Sequence, residues 1–195
     1  MIGRITGKLV LKQPPLLLVD VGGVGYEIEA PMSTFYKLPP LGESVSLQTH
    51  LTVREDAHLL FGFATGTEKA LFRELIKISG VGPKLALTVL SGVSVDDFWS
   101  TVRAGDVARL TKLPGVGRKT AERLVVEMRD KAGAEGESGV GIKLATDTSA
   151  LGEARSALAA LGYKPAEIQR FTEAVYKDGM STEQIIQEAL KRAVK

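Results

Sequence analysis

A short segment of the chain occurs twice, 35 residues apart, and this repeat constrains the fold more than any other feature. Residues 75–86 read LIKISGVGPKLA and residues 110–121 read LTKLPGVGRKTA. Each copy combines apolar residues at helical spacing with a central Gly-Val-Gly and a lysine two residues after it. Two copies are too few for a solenoid, so the repeat predicts a paired motif of helix, tight turn and helix.

The Gly-Val-Gly turns have the chemistry of an anion-binding site. Glycine lets the backbone bend sharply and lets a ligand approach closely, while the valine between the glycines can point inward and anchor the turn. The helix that follows begins with unpaired N–H groups and the positive end of its dipole. Basic residues in that first turn are unfavourable for the helix but suited to a phosphate. The candidate phosphate-binding residues are Gly80, Val81, Gly82 and Lys84 in the first copy and Gly115, Val116, Gly117, Arg118 and Lys119 in the second.

The repeat resembles the helix-hairpin-helix motif, whose Gly-x-Gly turns bind nucleic-acid backbone phosphates without reading bases. Two such motifs imply contacts on both sides of a minor groove, and hence binding that depends on DNA structure and little on base sequence. The alternative is two helical hairpins that use glycine only to turn. A nucleotide-binding P-loop fits less well, because Arg118 separates Gly117 from Lys119 and position 112 is lysine where that loop needs glycine. We therefore expect the chain to hydrolyse no ATP by itself.

Residues 1–64 predict a small antiparallel sheet, closed into a barrel. Short runs of alternating apolar residues are bounded there by Pro14-Pro15, Gly22-Gly23 and Pro39-Pro40. The glycines at 22, 23 and 25 could suggest a phosphate loop, but residues 26–29 alternate as a strand where such a loop requires a helix. A hairpin turn is the better interpretation of this segment.

Residues 65–131 change to a helical period and predict an all-α domain. Thr67 opens the first helix, and Ser94 is expected to cap a later one. Residues 132–150 are rich in glycine and poor in large apolar groups, which predicts a mobile linker. The predicted helical stretches after the first are residues 83–90, 94–104, 106–112 and 118–131.

Residues 151–195 predict three short helices. Gly162 ends the first helix, Pro165 begins the second, Gly179 ends it, and Ser181 with Gln184 forms a capping box for the third. A bundle of this size is near the lower limit for independent folding, so a docking module is expected rather than a catalyst. The predicted apolar faces are Ala154, Leu158 and Leu161; Ile168, Phe171 and Val175; and Ile186, Leu190 and Val194.

The charge distribution supports a nucleic-acid partner for the middle segment. The net charge of +2 is small, but residues 65–131 carry 12 basic and 8 acidic groups, against 5 and 6 before them and 8 and 9 after. The chain has no cysteine and only two histidines, His50 and His58, which excludes disulfides and Cys-based zinc sites and argues against a histidine-rich metal centre. No apolar run is long enough to suggest a signal peptide or a membrane span, so we expect a cytoplasmic protein.

Two adjacent carboxylates, Glu55 and Asp56, separate two strand patterns and are expected at a hairpin tip. Acidic residues commonly solvate turns, and this is the simplest interpretation. A metal site would need more ligands; Asp20 and His58 are available, but no spacing connects them. Near a phosphate-binding domain a third role arises, because carboxylates that face DNA repel phosphates and can hold strands apart at a branch point.

The chain as a whole resembles the RuvA family of bacterial Holliday-junction branch-migration proteins. The resemblance extends through all segments except the linker, and the family implies an α+β multidomain protein. The expected parts are an N-terminal oligonucleotide-binding-type (OB-type) β-barrel at 1–64, a central tandem helix-hairpin-helix domain at 65–131, and a three-helix domain similar to ubiquitin-associated (UBA) modules at 151–195. The motifs that carry the resemblance are MIGR at 1–4, VGGVGYE at 21–27, VRED at 53–56, GVGPKLAL at 80–87, LPGVGRKTAERL at 113–124 and ALGYKP at 160–165.

The resemblance also implies an assembly and further site residues. A four-fold tetramer would hold an open four-way junction on its basic face, with an octamer as a second form. Arg123 would join the phosphate-binding residues, and Glu55 and Asp56 would form an acidic pin at the crossover. The C-terminal domain would dock the hexameric ATPase RuvB, the resolvase RuvC would be a further partner, and no cofactor is implied.

The leading hypothesis is a non-enzymatic subunit that binds four-way (Holliday) junctions through sequence-independent phosphate contacts. It would hold the junction open and present it to the RuvB motor for branch migration in DNA recombination and repair. A repair nuclease or glycosylase that uses the same hairpins to hold DNA is the enzymatic alternative; the small size and the missing metal cluster argue against it. A scaffold whose basic turns contact protein is the third hypothesis.

Overall fold

The structure is a computed structural model that describes residues 1–137, 149–177 and 179–193. It divides into two compact units, residues 1–141 and 142–195. The first unit contains a β-barrel with its own core and a group of helices, whose core also includes Phe61 and Phe63 of the barrel. The second unit is a small helical bundle.

The barrel is closed, with the strands in the order β1-β2-β3-β5-β4. Neighbouring strands are antiparallel except β3 and β5, which pair in parallel through Glu29 and Phe61. The predicted closed barrel is confirmed, although the sheet is not wholly antiparallel as expected. The chain between β3 and β5 contains α1 and β4, a connection long enough for a parallel pair. The strands are β1 Arg4–Gln13, β2 Leu16–Val21, β3 Val24–Glu29, β4 Ser44–Val53 and β5 His58–Phe63, and helix α1, Met32–Phe35, lies between β3 and β4.

The predicted hairpin turn between β2 and β3 is confirmed. Gly22 and Gly23 have φ of +63° and +95°, the backbone of a tight primed turn. The amide of Gly23 donates to a carboxylate oxygen of Asp20 at 2.7 Å. These glycines therefore serve the turn and open no helix.

The helices of the first unit begin near the predicted positions. Ser94 is confirmed as an N-cap, whereas the first helix is capped by Thr65, two residues before the predicted Thr67, in a capping box with Glu68. The last helix continues to Glu137, into the predicted linker; residues 138–148 of that linker lie outside the described residues. The helices are α2 Gly66–Leu75, α3 Pro83–Gly92, α4 Val95–Ala104, α5 Val107–Leu110 and α6 Arg118–Glu137.

The barrel and the helices are joined by aromatic packing and by one buried carboxylate. Phe72 of α2 lies with its ring centroid 5.1 Å from that of Phe61 and 4.9 Å from that of Phe63, both on β5. Glu68 is only 4% exposed; it accepts hydrogen bonds from the Thr34 hydroxyl at 3.4 Å, the Lys37 ammonium at 3.3 Å and the Thr65 amide at 3.1 Å. A buried carboxylate needs such partners, so Glu68 fixes α1 against α2.

The second unit contains the three predicted helices, α7 Ala150–Ala160, α8 Pro165–Val175 and α9 Thr182–Ala193. The predicted start at Pro165 and the capping box of Ser181 with Gln184 are confirmed. The second helix ends at Val175, four residues before Gly179, the glycine predicted to end it.

The predicted core of this unit is partly wrong. Leu161 is 61% exposed, because it follows the last helical residue of α7 and the chain turns away at Gly162, where φ is +94°. Helix α9 buries Ile185 and Ala189 completely, and the predicted Ile186 and Leu190 are only partly buried. Val194 lies outside the described residues. The remaining predicted positions are buried at Ala154, Leu158 and Ile168 and partly buried at Phe171 and Val175.

Candidate nucleic-acid interface

The first glycine of each Gly-Val-Gly turn has a backbone that favours glycine. Gly80 has φ +85° and Gly115 has φ +76°, in the left-handed region where a Cβ is strained. The amide of Val81 donates to the carbonyl of Ile78 at 3.0 Å, and Val116 repeats this bond to Leu113 at 3.1 Å. Both valine side chains are buried, which confirms that they anchor the turns.

The second glycine of each turn has a different environment. Gly82 is extended, at φ −83° and ψ 171°, and is the N-cap of α3. Apart from the two chain neighbours of each glycine, no heavy atom of the described residues lies within 4 Å of the position that a Cβ would take on Gly82 or on Gly117. The sequence assigned the bend to both glycines of each pair; the structure assigns it to the first, and the second leaves open space at the helix start.

Free amide groups face this open space. The first intrahelical bonds to the capping glycines are made by the Ala86 amide to Gly82 at 3.0 Å and by the Ala121 amide to Gly117 at 2.9 Å. The residues between each pair have amides without an intrahelical acceptor. The first helix offers fewer of them, because Pro83 has no N–H.

The two turns are tied together. Nη1 of Arg123, on α6, donates to the carbonyl of Ser79 at 2.7 Å and lies 3.7 Å from the Cβ position of Gly80. In the other direction, the side chain of Leu85 comes within 3.4 Å of the Cβ position of Gly115. The two turns therefore lie next to each other.

The predicted cations of the turns are exposed. Arg118 is paired with Glu122 across one helical turn, Nε to Oε1 at 2.9 Å, and such an exposed pair contributes only about 0–1 kcal/mol. Within the described residues, no carboxylate lies within ion-pair distance of Lys84 or Lys119. Arg123 is partly engaged by Ser79, and its Nε lies 3.9 Å from Oε1 of Glu127.

The acidic pair lies where the sequence predicts. Glu55 and Asp56 are exposed at the tip of the hairpin between β4 and β5, which the Arg54 amide closes by donating to the Ala57 carbonyl at 2.9 Å. The described residues contain no cluster of three or more His, Asp or Glu side chains arranged as metal ligands.

A cleft of about 270 Å³ joins the base of this hairpin to the first Gly-Val-Gly turn. One wall carries Arg54, and the other carries the start of α3 with Lys84. Sequence reasoning missed Arg54; its only signal is a basic residue directly before the acidic pair. The cleft is lined by Glu29, Arg54, Leu59, Phe61, Gly82, Pro83 and Lys84.

Comparison with known proteins assigns each part of the chain to a family model. Family models match the chain as a RuvA N-terminal domain at residues 1–62, a SAM-like helix-hairpin-helix tandem at 72–130 and a RuvA C-terminal domain at 149–194. The chain belongs to the RuvA family. The resemblance noted in the sequence is thereby confirmed, as is the succession of OB-like barrel, helix-hairpin-helix tandem and C-terminal domain that RuvA proteins share.

Curated RuvA relatives match along the whole chain. The chain is 54% identical over 203 residues to the Holliday junction branch migration complex subunit RuvA of Thioalkalivibrio sulfidiphilus, with all of both chains covered. Proteins of the same name are 53% identical over 201 residues in Pseudomonas paraeruginosa, with full coverage of both, and 54% identical over 200 residues in Shewanella denitrificans, with 98% of each covered. None of the described helices has the length and apolar character needed to cross a membrane.

Proposed function

We propose that this chain binds four-way DNA junctions through sequence-independent phosphate contacts, holds them open and presents them to the RuvB ATPase for branch migration. The observation that carries this proposal is that the two Gly-Val-Gly turns lie next to each other, and that the acidic hairpin shares a cleft with the first turn. Membership of the RuvA family, whose relatives are named as subunits of the Holliday junction branch migration complex, supports the same function.

The turns supply affinity without base recognition. Free amides at a helix start and a neighbouring ammonium form a phosphate site, and Lys84 and Lys119 have no carboxylate that competes for them among the described residues. The carbonyl of Ser79 holds Arg123 between the turns, so the two sites keep a fixed spacing. A fixed pair of phosphate sites selects DNA by its backbone shape. The residues proposed to bind DNA are those of the two turns, Lys84, Arg118, Lys119 and Arg123.

The acidic hairpin supplies selectivity for the junction. Glu55 and Asp56 project from the barrel and would repel any phosphate placed at the hairpin tip. The phosphates of a continuous duplex bound across both sites would be repelled by Glu55 and Asp56. An open junction has a gap between its arms, and the hairpin tip can occupy that gap. The hairpin thus acts as a pin at the crossover.

Assembly with other subunits completes the proposal. Four copies around a four-fold axis would place one pin and two phosphate sites against each arm, and an octamer would enclose the junction. The C-terminal unit would dock RuvB, which supplies ATP hydrolysis; this chain would have no ATPase site of its own. RuvC would act on the same junction.

The phosphate contacts are tested by Lys119→Ala. We expect weaker binding to every four-way junction sequence alike, and a slope of log affinity against log salt that is smaller by about one, the signature of one lost phosphate contact. Mobility-shift titrations over a range of NaCl concentrations measure both quantities. Lys191→Ala is the matched control, since it removes the same charge from α9. A loss of affinity confined to some base sequences would overturn the proposal.

The pin is tested by replacing Glu55 and Asp56 with Gln and Asn. The substitutions remove charge while keeping side-chain size, so we expect tighter junction binding or a smaller preference for junction over linear duplex. The measurement is a parallel titration of a synthetic four-way junction and a duplex of the same sequence. Unchanged affinity together with unchanged preference would show that the acidic pair only solvates the turn.

A further inference from the structure

The first phosphate site is incomplete when it is compared with the second. The repeat aligns Lys84 with Lys119, and it aligns Pro83 with Arg118. The first turn of the second helix therefore carries two cations and an N–H at its first position, while that of the first helix carries one cation and a proline without an N–H. Arg123 also lies beside the first turn, but its guanidinium donates to the Ser79 carbonyl. A further cation from outside the repeat would offset this difference.

The cleft beside the first site contains such a group. Arg54 comes from the barrel and lines the cleft together with Gly82, Pro83 and Lys84. Its backbone is fixed, because its amide donates to the Ala57 carbonyl and closes the hairpin, whereas its side chain is exposed. The fold thus brings a further cation to the start of α3 from a segment about 30 residues earlier in the chain.

We infer that Arg54 is a phosphate-binding residue that completes the first helix-hairpin-helix site, in the position that Arg118 supplies to the second. This inference rests on the proposed function and adds a DNA contact from the barrel. The ligand is a phosphodiester group of the strand that passes between the acidic hairpin and α3. A planar guanidinium suits this ligand, since it can donate two parallel hydrogen bonds to phosphate oxygens.

The local charges favour a DNA phosphate in the cleft. Arg54 directly precedes Glu55 and Asp56, yet no carboxylate of the described chain lies within ion-pair distance of its guanidinium, although Glu29 lines the same cleft. The base of the hairpin is therefore attractive to phosphate and its tip is repulsive. The charge thus changes from positive at Arg54 to negative at Glu55 and Asp56. This change would bind the DNA strand beside the pin and repel it from the tip.

The test is Arg54→Ala, with Arg54→Lys and Arg103→Ala beside it. We expect Arg54→Ala to weaken binding of a synthetic four-way junction by about tenfold or more, the effect of one charge-assisted hydrogen bond, and to lower the salt slope by about one. Arg54→Lys should restore the slope, because it restores the charge, and only part of the affinity. Arg103 is exposed in the last turn of α4 and lies outside the cleft. The Arg103→Ala variant should therefore bind the junction with the wild-type affinity and salt slope.

A second pair of variants tests whether Arg54 supplies to the first site the phosphate contact that Arg118 supplies to the second. Pro83→Arg in the Arg54→Ala background places a cation where the second repeat has one, and should return the salt slope to the wild-type value. Glu29→Gln removes the only carboxylate lining the cleft among the described residues and should tighten junction binding. Thermal unfolding of each variant checks that the fold is intact.

The outcomes separate this inference from the proposed function. If Lys119→Ala lowers the salt slope and Arg54→Ala, with an unchanged unfolding temperature, does not, Arg54 binds no phosphate and the inference is overturned while the function stands. If neither variant changes junction binding, the proposed function itself fails. A slope lowered by Arg54→Ala and restored by lysine supports both.

Discussion

At the scale of single residues, the two glycines of each turn have different tasks. Gly80 and Gly115 lie at positive φ, so their lack of a Cβ is needed for folding. Gly82 has a backbone that any residue adopts, and open space surrounds its Cβ position, as it does at Gly117. The second glycine therefore keeps the amides of the next helix accessible, a task that concerns binding and not folding.

Alanine substitutions separate these two tasks. We expect Gly80→Ala to lower the free energy of unfolding by about 1–2 kcal/mol, because alanine is strained at positive φ. Gly82→Ala should lower the free energy of unfolding by less than Gly80→Ala does, since a typical loss at an N-cap is about 1 kcal/mol and glycine is itself only a moderate cap. It should nevertheless weaken junction binding, since its methyl group occupies the space that a phosphate would enter. Urea denaturation and mobility-shift titration measure the two quantities.

The second turn provides the matched comparison. Gly115→Ala should behave like Gly80→Ala, with an added contact because a Cβ there lies 3.4 Å from the Leu85 side chain. Gly117→Ala should behave like Gly82→Ala. Equal losses of stability from both glycines of one turn, with junction affinity of the folded protein unaltered, would contradict this division of tasks.

At the scale of helices and strands, the sequence predicts an element boundary well where one side chain determines it. Ser94 accepts a hydrogen bond from the Asp97 amide at 3.1 Å and starts α4 as expected. Thr65 and Thr67 compete at the start of α2, and Thr65 prevails because only it has Glu68 three residues later to complete a capping box. Propensity alone cannot choose between two neighbouring threonines; the reciprocal hydrogen bonds decide.

Buried faces are harder to predict than boundaries when apolar residues are adjacent. Helix α9 contains Ile185 and Ile186 side by side, and the periodicity allows either to face the core. The fold buries Ile185 and Ala189 completely, and Ala189 packs in one cluster with Leu158 and Ile168. Leu161 has the right spacing for α7 but lies beyond its last turn, so it is exposed.

In the candidate site, contacts between residues far apart in the sequence are also harder to predict than local motifs. The Gly-Val-Gly turns and their lysines are local, and the sequence predicts their positions, although not which glycine makes the bend. The contact of Arg123 with Ser79 and the presence of Arg54 beside Lys84 depend on how separate elements pack. No periodicity or spacing along the chain carries that information, so these two arginines acquire their surroundings only from the fold.

At the scale of the whole first unit, the joint between barrel and helices determines how the acidic hairpin is held against the first turn. Strand β5, which leads away from the hairpin, packs Phe61 and Phe63 against Phe72 of α2. His50 on β4 extends this cluster, with its ring 5.6 Å from that of Phe72 in an edge-to-face arrangement. A change at His50 therefore acts on the joint that places the pin.

We expect acid to act on this joint through His50. Burial lowers the pKa of His50 below its usual 6.5, and the nearby charges of Arg73 and Lys69 lower it further. Its Nδ1 is buried and has no hydrogen-bond partner among the described residues. The folded chain thus favours the neutral ring, and protonation would add a third positive charge beside Arg73 and Lys69.

The sign of the pH effect follows from this shift. A group whose pKa is lower in the folded state contributes its full stability above the unfolded value of 6.5, and that contribution is lost as the pH falls through the folded pKa. We expect the free energy of unfolding, from urea denaturation, to fall below pH 6.5 more steeply in the wild type than in His50→Phe, which cannot titrate and keeps an aromatic ring against Phe72. His58→Gln removes the other, exposed histidine and should retain the wild-type pH dependence. If His50→Phe loses stability between pH 6.5 and 5 as steeply as the wild type while His58→Gln does not, the acid sensitivity belongs to the hairpin side of β5 and not to the joint.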